Sequence, residues 1–388
     1  MTSLRILQLD SMLSGGGTDD QIVKLTQGLH QAGHPVWVAG PDGREFSNII
    51  RDMGLPFHLT PPEGPAKARF VLAVARFIRR EKIQIVHGHH GRDYWPTILA
   101  ARLSGANPKI VLTRHLAKSP GSWASRRFLL RQCDALIAVS EFVAKVLREG
   151  AYEPDSPEAE RRARPPIRGD HRKIHVIYGG IDTAKFKPAN ADEKRREFGL
   201  SPENFAFAVV GGFDPPRGKG QREFLAAAAS IHQKIPQARF LIIGRGGLAA
   251  ILESDIARLG LTGKAWLTGQ VSDMPKAMNA IDCLVHPQIG TEAFPGVVLE
   301  ALACGRPIIA SALDGIPEAY QAGGYGRLVT PEDIGQLAAA LCDWMAQPRK
   351  SEAERIELHR RVAGRFSVAA ATRRVLEVYQ TLCPAPTI

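Results

Sequence analysis

The sequence predicts two doubly wound α/β domains in tandem, and three observations carry that reading. At 388 residues the chain is longer than one hydrophobic core organises, so two domains of similar size are expected. Short apolar runs alternate with helical patterns almost throughout, as in parallel strands covered by helices. A polar, Pro-rich and highly charged stretch, "EPDSPEAERRARPPIRGDHR" at 153–172, interrupts the alternation and reads as an exposed loop.

The first series runs "RILQLD" (5–10), helix 18–32, "PVWVAG" (35–40), helices 45–53 and 67–80, then "IQIVHGH" (83–89). It continues with helix 93–104, "KIVLTRH" (109–115), helix 122–132, "ALIAVS" (135–140) and helix 141–149, resumes at "IHVIYGG" (174–180), and ends in a linker, 181–194. The second series is "FAFAVVGG" (205–212), helix 219–234, "ARFLIIG" (238–244), helix 247–259, "AWLTG" (265–269) and helix 273–280. "CLVHP" (283–287), helix 296–304, "PIIAS" (307–311) and "GRLVT" (326–330) follow, and a last helix spans 367–382. Ligands of such sheets bind beyond the carboxyl ends of the strands. Those ends carry Gly15 to Gly17, His89, His115, Gly211, Gly244 and the loop Thr291 to Phe294, all expected to line one cleft between the domains.

Hydrophobic residues at 44% suffice for two cores, and no apolar run reaches membrane-spanning length. "MTSLR" leads straight into a strand, so no secretory signal and a cytoplasmic location are expected. Five cysteines without a C-x-x-C pair read as reduced thiols. A net charge of +11 implies an anionic partner: nucleic acid, an anionic membrane surface or a phosphorylated substrate. No nucleic-acid module is recognisable, and the basic clusters "RFIRREK" (76–82) and "RRARPPIRGDHRK" (161–173) fit a solvated surface as well as a membrane face.

The chemistry concentrates in "TEAFPGVVLEALACGRPII" (291–309). Pro295 suits a helix first turn, Gly296 admits a ligand close to the backbone, and the free N–H groups there favour an anion. Glu300 lies one turn deeper on the face of Gly296 and Val297, in a helix with no evident polar face, so it reads as a ligand-facing carboxylate. Glu292, in the preceding loop, addresses another part of the same ligand. In "GGFDPPRGKG" (211–220) Arg217 and Lys219 precede a helix, in a loop suited to phosphates. "SGGGTDD" (14–20) admits phosphate or substrate near the backbone, or is a plain strand-to-helix turn; it is no P-loop. "GRGGLA" (244–249), with Arg245, only loosely echoes a dinucleotide fingerprint. His115 ends its strand, a structural or a functional position. "HGHHG" (87–91) lacks the ligand spacing of a metal site, and the chain contains no Asp-x-Asp to hold a cation on a diphosphate.

These residues resemble the retaining nucleotide-sugar glycosyltransferases of family 4, whose GT-B fold sets two Rossmann-like domains facing each other across a cleft. The landmarks are Gly15 to Gly17, His115, "VSEF" (139–142), "VIYGGIDTAKFKP" (176–188), "GKGQ" (218–221) and the Glu292/Glu300 pair. The resemblance implies that Glu300 binds the donor ribose, and that Glu292 with the Phe294, Pro295, Gly296 and Val297 segment holds the transferred sugar. Lys219 would stabilise the departing diphosphate, His115 would contact the donor sugar, and Gly16 and Gly17 would lie beside the phosphates, with Arg217 and Arg245 as further donor-binding residues. It implies a metal-independent reaction without a protein nucleophile. The donor would be a UDP- or GDP-sugar giving up a hexose or N-acetylhexosamine, and the acceptor a cell-envelope glycan or glycolipid (lipopolysaccharide, capsule or exopolysaccharide), reached at the inner membrane face. An acceptor-binding domain over 1–185, joined by the returning helix 367–383, and a donor domain over 186–366 are expected. The family's arginine five residues before the lysine falls on Asp214 here, and its Pro-Asn-Gly reads Tyr178-Gly179-Gly180. The alternatives are a nucleotide-sugar epimerase of the same fold and a basic membrane- or nucleic-acid-binding protein that retains it.

Overall fold

The computed structural model describes residues 3–13, 15–60, 68–150 and 165–384. Of the charged 153–172 segment, 153–164 lies outside the described residues. The chain divides into two compact units, Met1–Gly180 with Val368–Ile388, and Ile181–Ser367.

The first unit is built from β1 (Ile6–Leu9), α1 (Gly17–Gln31), β2 (Val36–Gly40), α2 (Glu45–Asp52), β3 (Phe57–Leu59), α3 (Ala68–Arg80) and β4 (Ile85–Gly88). Next come α4 (Tyr94–Ser104), β5 (Lys109–Arg114), α5 (Trp123–Gln132), β6 (Ala135–Ala138), α6 (Glu141–Glu149) and β7 (Ile174–Val176). The strands are all parallel, in the order β3-β2-β1-β4-β5-β6-β7. Period-two alternation divides the sheet's side chains between two cores. Ile6, Val36, Ile85, Val111 and Ile137 pack with Val375 and Tyr379, while Leu7, Leu9 and Val86 pack with Phe70, Val74, Phe77 and Ile78 of α3. The chain therefore returns to this unit as the carboxyl-terminal helix Val368–Leu382, which covers the first of those faces.

Where the chain leaves and re-enters this unit, contact is backbone to backbone. A Cβ on Gly180 would stand 2.7 Å from Val368 Cα and 3.0 Å from its nitrogen. Gly180→Ala is therefore expected to cost about 1–3 kcal/mol of stability, read as a lowered urea midpoint at unchanged slope. An unchanged midpoint would show that this contact yields.

The second unit contains α7 (Asp192–Glu197), β8 (Phe205–Val210), α8 (Gln221–Ile231), β9 (Ala238–Ile243), α9 (Ala249–Arg258), β10 (Ala265–Gly269) and α10 (Met274–Ala280). It goes on with β11 (Cys283–His286), α11 (Gly296–Ala303), β12 (Ile308–Ser311), α12 (Ile316–Tyr320), β13 (Gly326–Val329), α13 (Ile334–Met345) and α14 (Glu352–Phe366). Its parallel sheet has the order β10-β9-β8-β11-β12-β13. One large core joins Phe207, Val209, Phe240 and Ile242 of the strands to Phe224, Leu252 and Leu341 of the helices. In both sheets the order reverses once, between β1 and β4 and between β8 and β11. Those two switch points open crevices at the strands' carboxyl ends, where ligands of such sheets bind.

Candidate active site

The switch point of the second unit is formed by two loops, one after β8 and one after β11. Gly220 brings them together. Its φ is 84°, and a Cβ there would stand 1.9 Å from the carbonyl oxygen of Pro287, so only glycine fits. This approach sets Lys219 of one loop against Glu292 of the other, and Lys219 Nζ donates to Glu292 Oε2 at 2.8 Å. The pair is partly exposed. His286, the last residue of β11, lies buried behind it, with Nε2 3.9 Å from the same carboxylate oxygen. Burial drives the His286 ring down to about 4 against the pull of Glu292, so it is neutral at physiological pH. Neither His286 nitrogen has a hydrogen-bond partner, and Gln288 Oε1 and Ser311 Oγ, at the same end of the sheet, are also buried and unpartnered. Buried polar atoms left without partners mark a place where a polar ligand belongs.

α11 begins at Gly296, and Pro295 is its N-cap rather than a first-turn residue, because its ψ of 107° is extended. Val298, Leu299, Ala301, Leu302 and Ala303 are buried, whereas Gly296, Val297 and Glu300 are partly exposed. An otherwise apolar helix thus presents one narrow stripe outwards, with its free N–H groups at one end and the Glu300 carboxylate a turn along. Glu300 is less deeply placed than its apolar neighbours in the sequence suggest. Phe294 stacks on Phe366 at 5.9 Å, fixing the approach to the helix.

Two further expected donor residues, Arg217 and Arg245, lie in the loops after β8 and β9. Arg217 is well exposed and reaches Glu332, Nη1 to Oε1 3.5 Å. Arg245, just beyond β9, is exposed. Asp214, at the position where the resemblance expects arginine, accepts from the Gly247 N–H at 2.9 Å and so ties two loops together.

The first unit's switch point is closed in a parallel way, by charge. The loop after β1 is held by carboxylates: Asp10 accepts from Met12 N at 2.8 Å, Asp93 from Ser11 N at 3.1 Å, and Asp19 from Gly15 N at 2.8 Å. From the loop after β4, His90 Nε2 lies 2.9 Å from Asp19 Oδ1 and 3.3 Å from Asp10 Oδ1. Burial opposes charge on His90, but these hydrogen bonds and the charges of Asp10 and Asp93 outweigh it and raise its pKa to about 10. Asp93, fully buried, is pushed up to about 6, mainly by burial. Asp10, Asp19 and His90 are also the one group among the described residues whose ligand atoms lie within 4.8 Å of one another. The protonated ring supplies the positive charge there. Above this clamp Gly15 and Gly16 have φ of 116° and 105°, and a Cβ on Gly16 or Gly17 would meet nothing within 4 Å. The glycine loop therefore borders open space.

His115 is partly exposed just past β5, with Nε2 3.4 Å from His89 Nδ1. Burial, with the nearby charges of His90 and Arg114, drives it down to about 3, so it is a neutral ring. His89 in turn meets Gln8 at 2.6 Å, and His87 is held between Tyr379 and Thr113, each at 2.6 Å. Protein partners thus account for His87 and His89. The residues that the sequence reading left without a role are Asp10, Asp19, His90, His286 and Gln288. Their sequence signal is positional: Asp10, His90, His286 and Gln288 lie at or within two residues of the carboxyl end of β1, β4 or β11, the strands bordering the switch points, and Asp19 lies in the first turn of α1.

Residues 15–156 match the family model described as Glycosyltransferase Family 4, and residues 204–347 the one described as Glycosyl transferases group 1. The chain is similar to the phosphatidyl-myo-inositol mannosyltransferase of Mycolicibacterium smegmatis, 26% identical over 379 residues that cover 95% of this chain and 91% of that protein. It is also similar to the D-inositol 3-phosphate glycosyltransferase of Mycobacterium marinum, 31% identical over 181 residues, but this match covers 45% of this chain and 37% of that protein. Among solved structures, Anabaena Alr3699/HepE in complex with UDP superposes with a TM-score of 0.79 at 21% identity, covering 97% of this chain and 100% of that one. A glycosyltransferase from Rickettsia africae does so with a TM-score of 0.81 at 20% identity, covering 99% and 100%. Both structures share the two-sheet α/β architecture known as GT-B.

Proposed function

We propose that this chain, a glycosyltransferase, is of the family 4 type and moves a hexose or N-acetylhexosamine from a UDP- or GDP-sugar to a cell-envelope glycan or glycolipid. We further propose retention at the anomeric carbon and no resident metal. The relatives named for phosphatidyl-myo-inositol and D-inositol 3-phosphate favour, within that class, an inositol-bearing or lipid-linked acceptor. The observation that carries the donor reading is the Lys219–Glu292 pair at 2.8 Å beside the α11 amino terminus. The two charges neutralise each other. A diphosphate carries more charge than a carboxylate, so it takes Lys219 and the free α11 N–H groups, releasing Glu292 to accept from sugar hydroxyls. Glu300, a turn along the same stripe, accepts from the ribose diol.

In the transfer step the bond from the anomeric carbon to the leaving phosphate oxygen breaks, and the acceptor oxygen bonds to that carbon from the same face. The acceptor's proton passes to the leaving phosphate, and Lys219 stabilises the charge that develops there. His115, neutral, offers the sugar a hydrogen bond without adding charge.

Among the described residues no helix is long and apolar enough to cross a membrane. α3 buries Phe70, Val74, Phe77 and Ile78 in the core and exposes Leu72 together with Arg69, Arg76 and Arg80. The electrostatic part of any contact with an anionic membrane surface would be salt-sensitive.

The test is transfer or donor hydrolysis with UDP-, GDP- and ADP-sugars, beginning with UDP-glucose, with and without inositol-bearing lipid acceptors. Absence of both binding and turnover across that panel would sink the reading. Glu300→Gln is expected to raise the donor KM about 10- to 100-fold, the worth of a charge-assisted hydrogen bond, with a smaller change in kcat. An unchanged KM would remove Glu300 from the ribose.

A further inference from the structure

The amino-terminal edge of the second unit's sheet, at the opposite end of the strands from Lys219 and Glu292, gathers an unusual excess of positive charge. Asp282 immediately precedes β11 and is buried. Its two oxygens accept from Arg195 Nη1 at 3.0 Å, Arg349 Nη2 at 3.2 Å and the Ala206 N–H at 2.8 Å. Arg306, just before β12, and Arg355 of α14 stand beside it, and two adjoining surface depressions share Asp282, Arg306, Arg349 and Arg355 as their lining.

The four guanidinium groups are not equally satisfied. Arg195 is fully engaged, because besides Asp282 it donates to the carbonyls of Ala280, Ser201 and Asn204. Arg306 donates through Nη2 to the Asn279 carbonyl, and Arg355 through Nη2 to Asn279 Oδ1 at 3.0 Å and Cys304 O at 3.1 Å. The Nε groups of both Arg306 and Arg355 are buried and have no partner. The buried Asp282 thus faces four guanidinium charges, with Glu352 acting on Arg355 and Asp192 lining one depression, and two buried N–H donors stay unused. Burial and the neighbouring Arg355 pull even the Arg306 guanidinium down to about 10, the sign of cations crowded together without enough counter-charge. Unpartnered buried donors and uncompensated buried cations both cost free energy, and an oxyanion that accepts from several guanidinium groups relieves both at once.

We propose that this edge is an anion site for a phosphate-bearing ligand, held by Arg306 and Arg355 from within and by Arg349 from the rim. It is separate from the donor site, since the two lie at opposite ends of the same strands. A ligand there bridges the start of β12, α14 and the segment after α13. The ligand class is a phosphate dianion, either free or as the phosphate of a sugar or nucleoside monophosphate.

Calorimetric titration of the whole protein with inorganic phosphate, a hexose phosphate and a nucleoside monophosphate tests this, in wild type and in a Lys219→Ala background that weakens phosphate binding at the donor site. Binding is expected to persist in Lys219→Ala, to weaken at least 10-fold when Arg355→Gln is added, and to weaken about 3- to 10-fold with the exposed Arg349→Gln. Should Arg355→Gln fail to fold, Arg349→Gln decides alone. Equal affinity for the three probes makes phosphate itself the ligand, and a preference among them identifies its organic part; either supports the site. Absence of phosphate binding in Lys219→Ala, or binding that neither arginine substitution changes, overturns it.

Discussion

Lys219→Ala is expected to lower kcat about 10²- to 10³-fold, with the protein still folded and its melting temperature nearly unchanged. The magnitude is that of losing one preorganised charge aimed at a developing anion, about 2.7–4 kcal/mol. The folding term is small because the Lys219–Glu292 pair is partly exposed, and such pairs contribute little to stability. The split between the two readouts is the informative part. If Lys219→Ala lowered stability and left turnover intact, the pair would be a structural tie between the loops after β8 and β11, and the donor site would have to be sought elsewhere. Glu292→Gln separates the partners' roles: it frees Lys219 for the diphosphate, so it should tighten binding of the nucleoside diphosphate product while slowing transfer.

His90→Ala should destabilise the first unit by about 3–5 kcal/mol, because it leaves Asp10, Asp19 and Asp93 enclosed without their cation. The wild-type pH dependence has the same origin. His90 binds its proton up to about pH 10 when folded and only to about 6.5 when unfolded. Across that window the folded state holds one more proton, so stability is fully present below about pH 6.5 and falls as pH rises towards 10. Denaturant unfolding at pH 7.5 and 9.5, above the range in which buried neutral histidines such as His115 and His286 take up protons on unfolding, should show the decline in wild type and lose most of it in His90→Gln. A flat wild-type profile would mean that His90 is neutral and that the clamp acts by hydrogen bonds alone. Because Asp19 also accepts from Gly15 N, the same substitution loosens the glycine loop.

The strand-and-helix alternation was readable because strands buried on both faces, such as "FAFAVV" and "CLVH", stand out as apolar runs between amphipathic helices. Elements without that contrast were not read. β3 has three residues, too few to display a period, and α7 begins in the expected linker 181–194 and has no apolar residue to show a period. No element was read over 331–366, where α13 and α14 lie, although the capping box of Ser351 and Glu354 marks the start of α14. Lys219, Glu292 and Glu300 stand out in the sequence as charges in glycine-rich or apolar surroundings, and the structure pairs the first two. Arg217 and Arg245 stand out by the same rule and are exposed, Arg217 towards Glu332; a loop arginine's sequence says nothing of its direction.

By itself the sequence determined the elements, their alternation into two parallel sheets, and the strand ends at which chemistry could be placed, because periodicity and glycine placement are local properties of the chain. Only the tertiary structure decided which charges meet. Lys219 faces Glu292 across 73 residues and His90 faces Asp19 across 71, in each case because the order of the strands reverses between them. The direction of a crossover is set by how helices cover the whole sheet, and no short stretch of sequence carries that information.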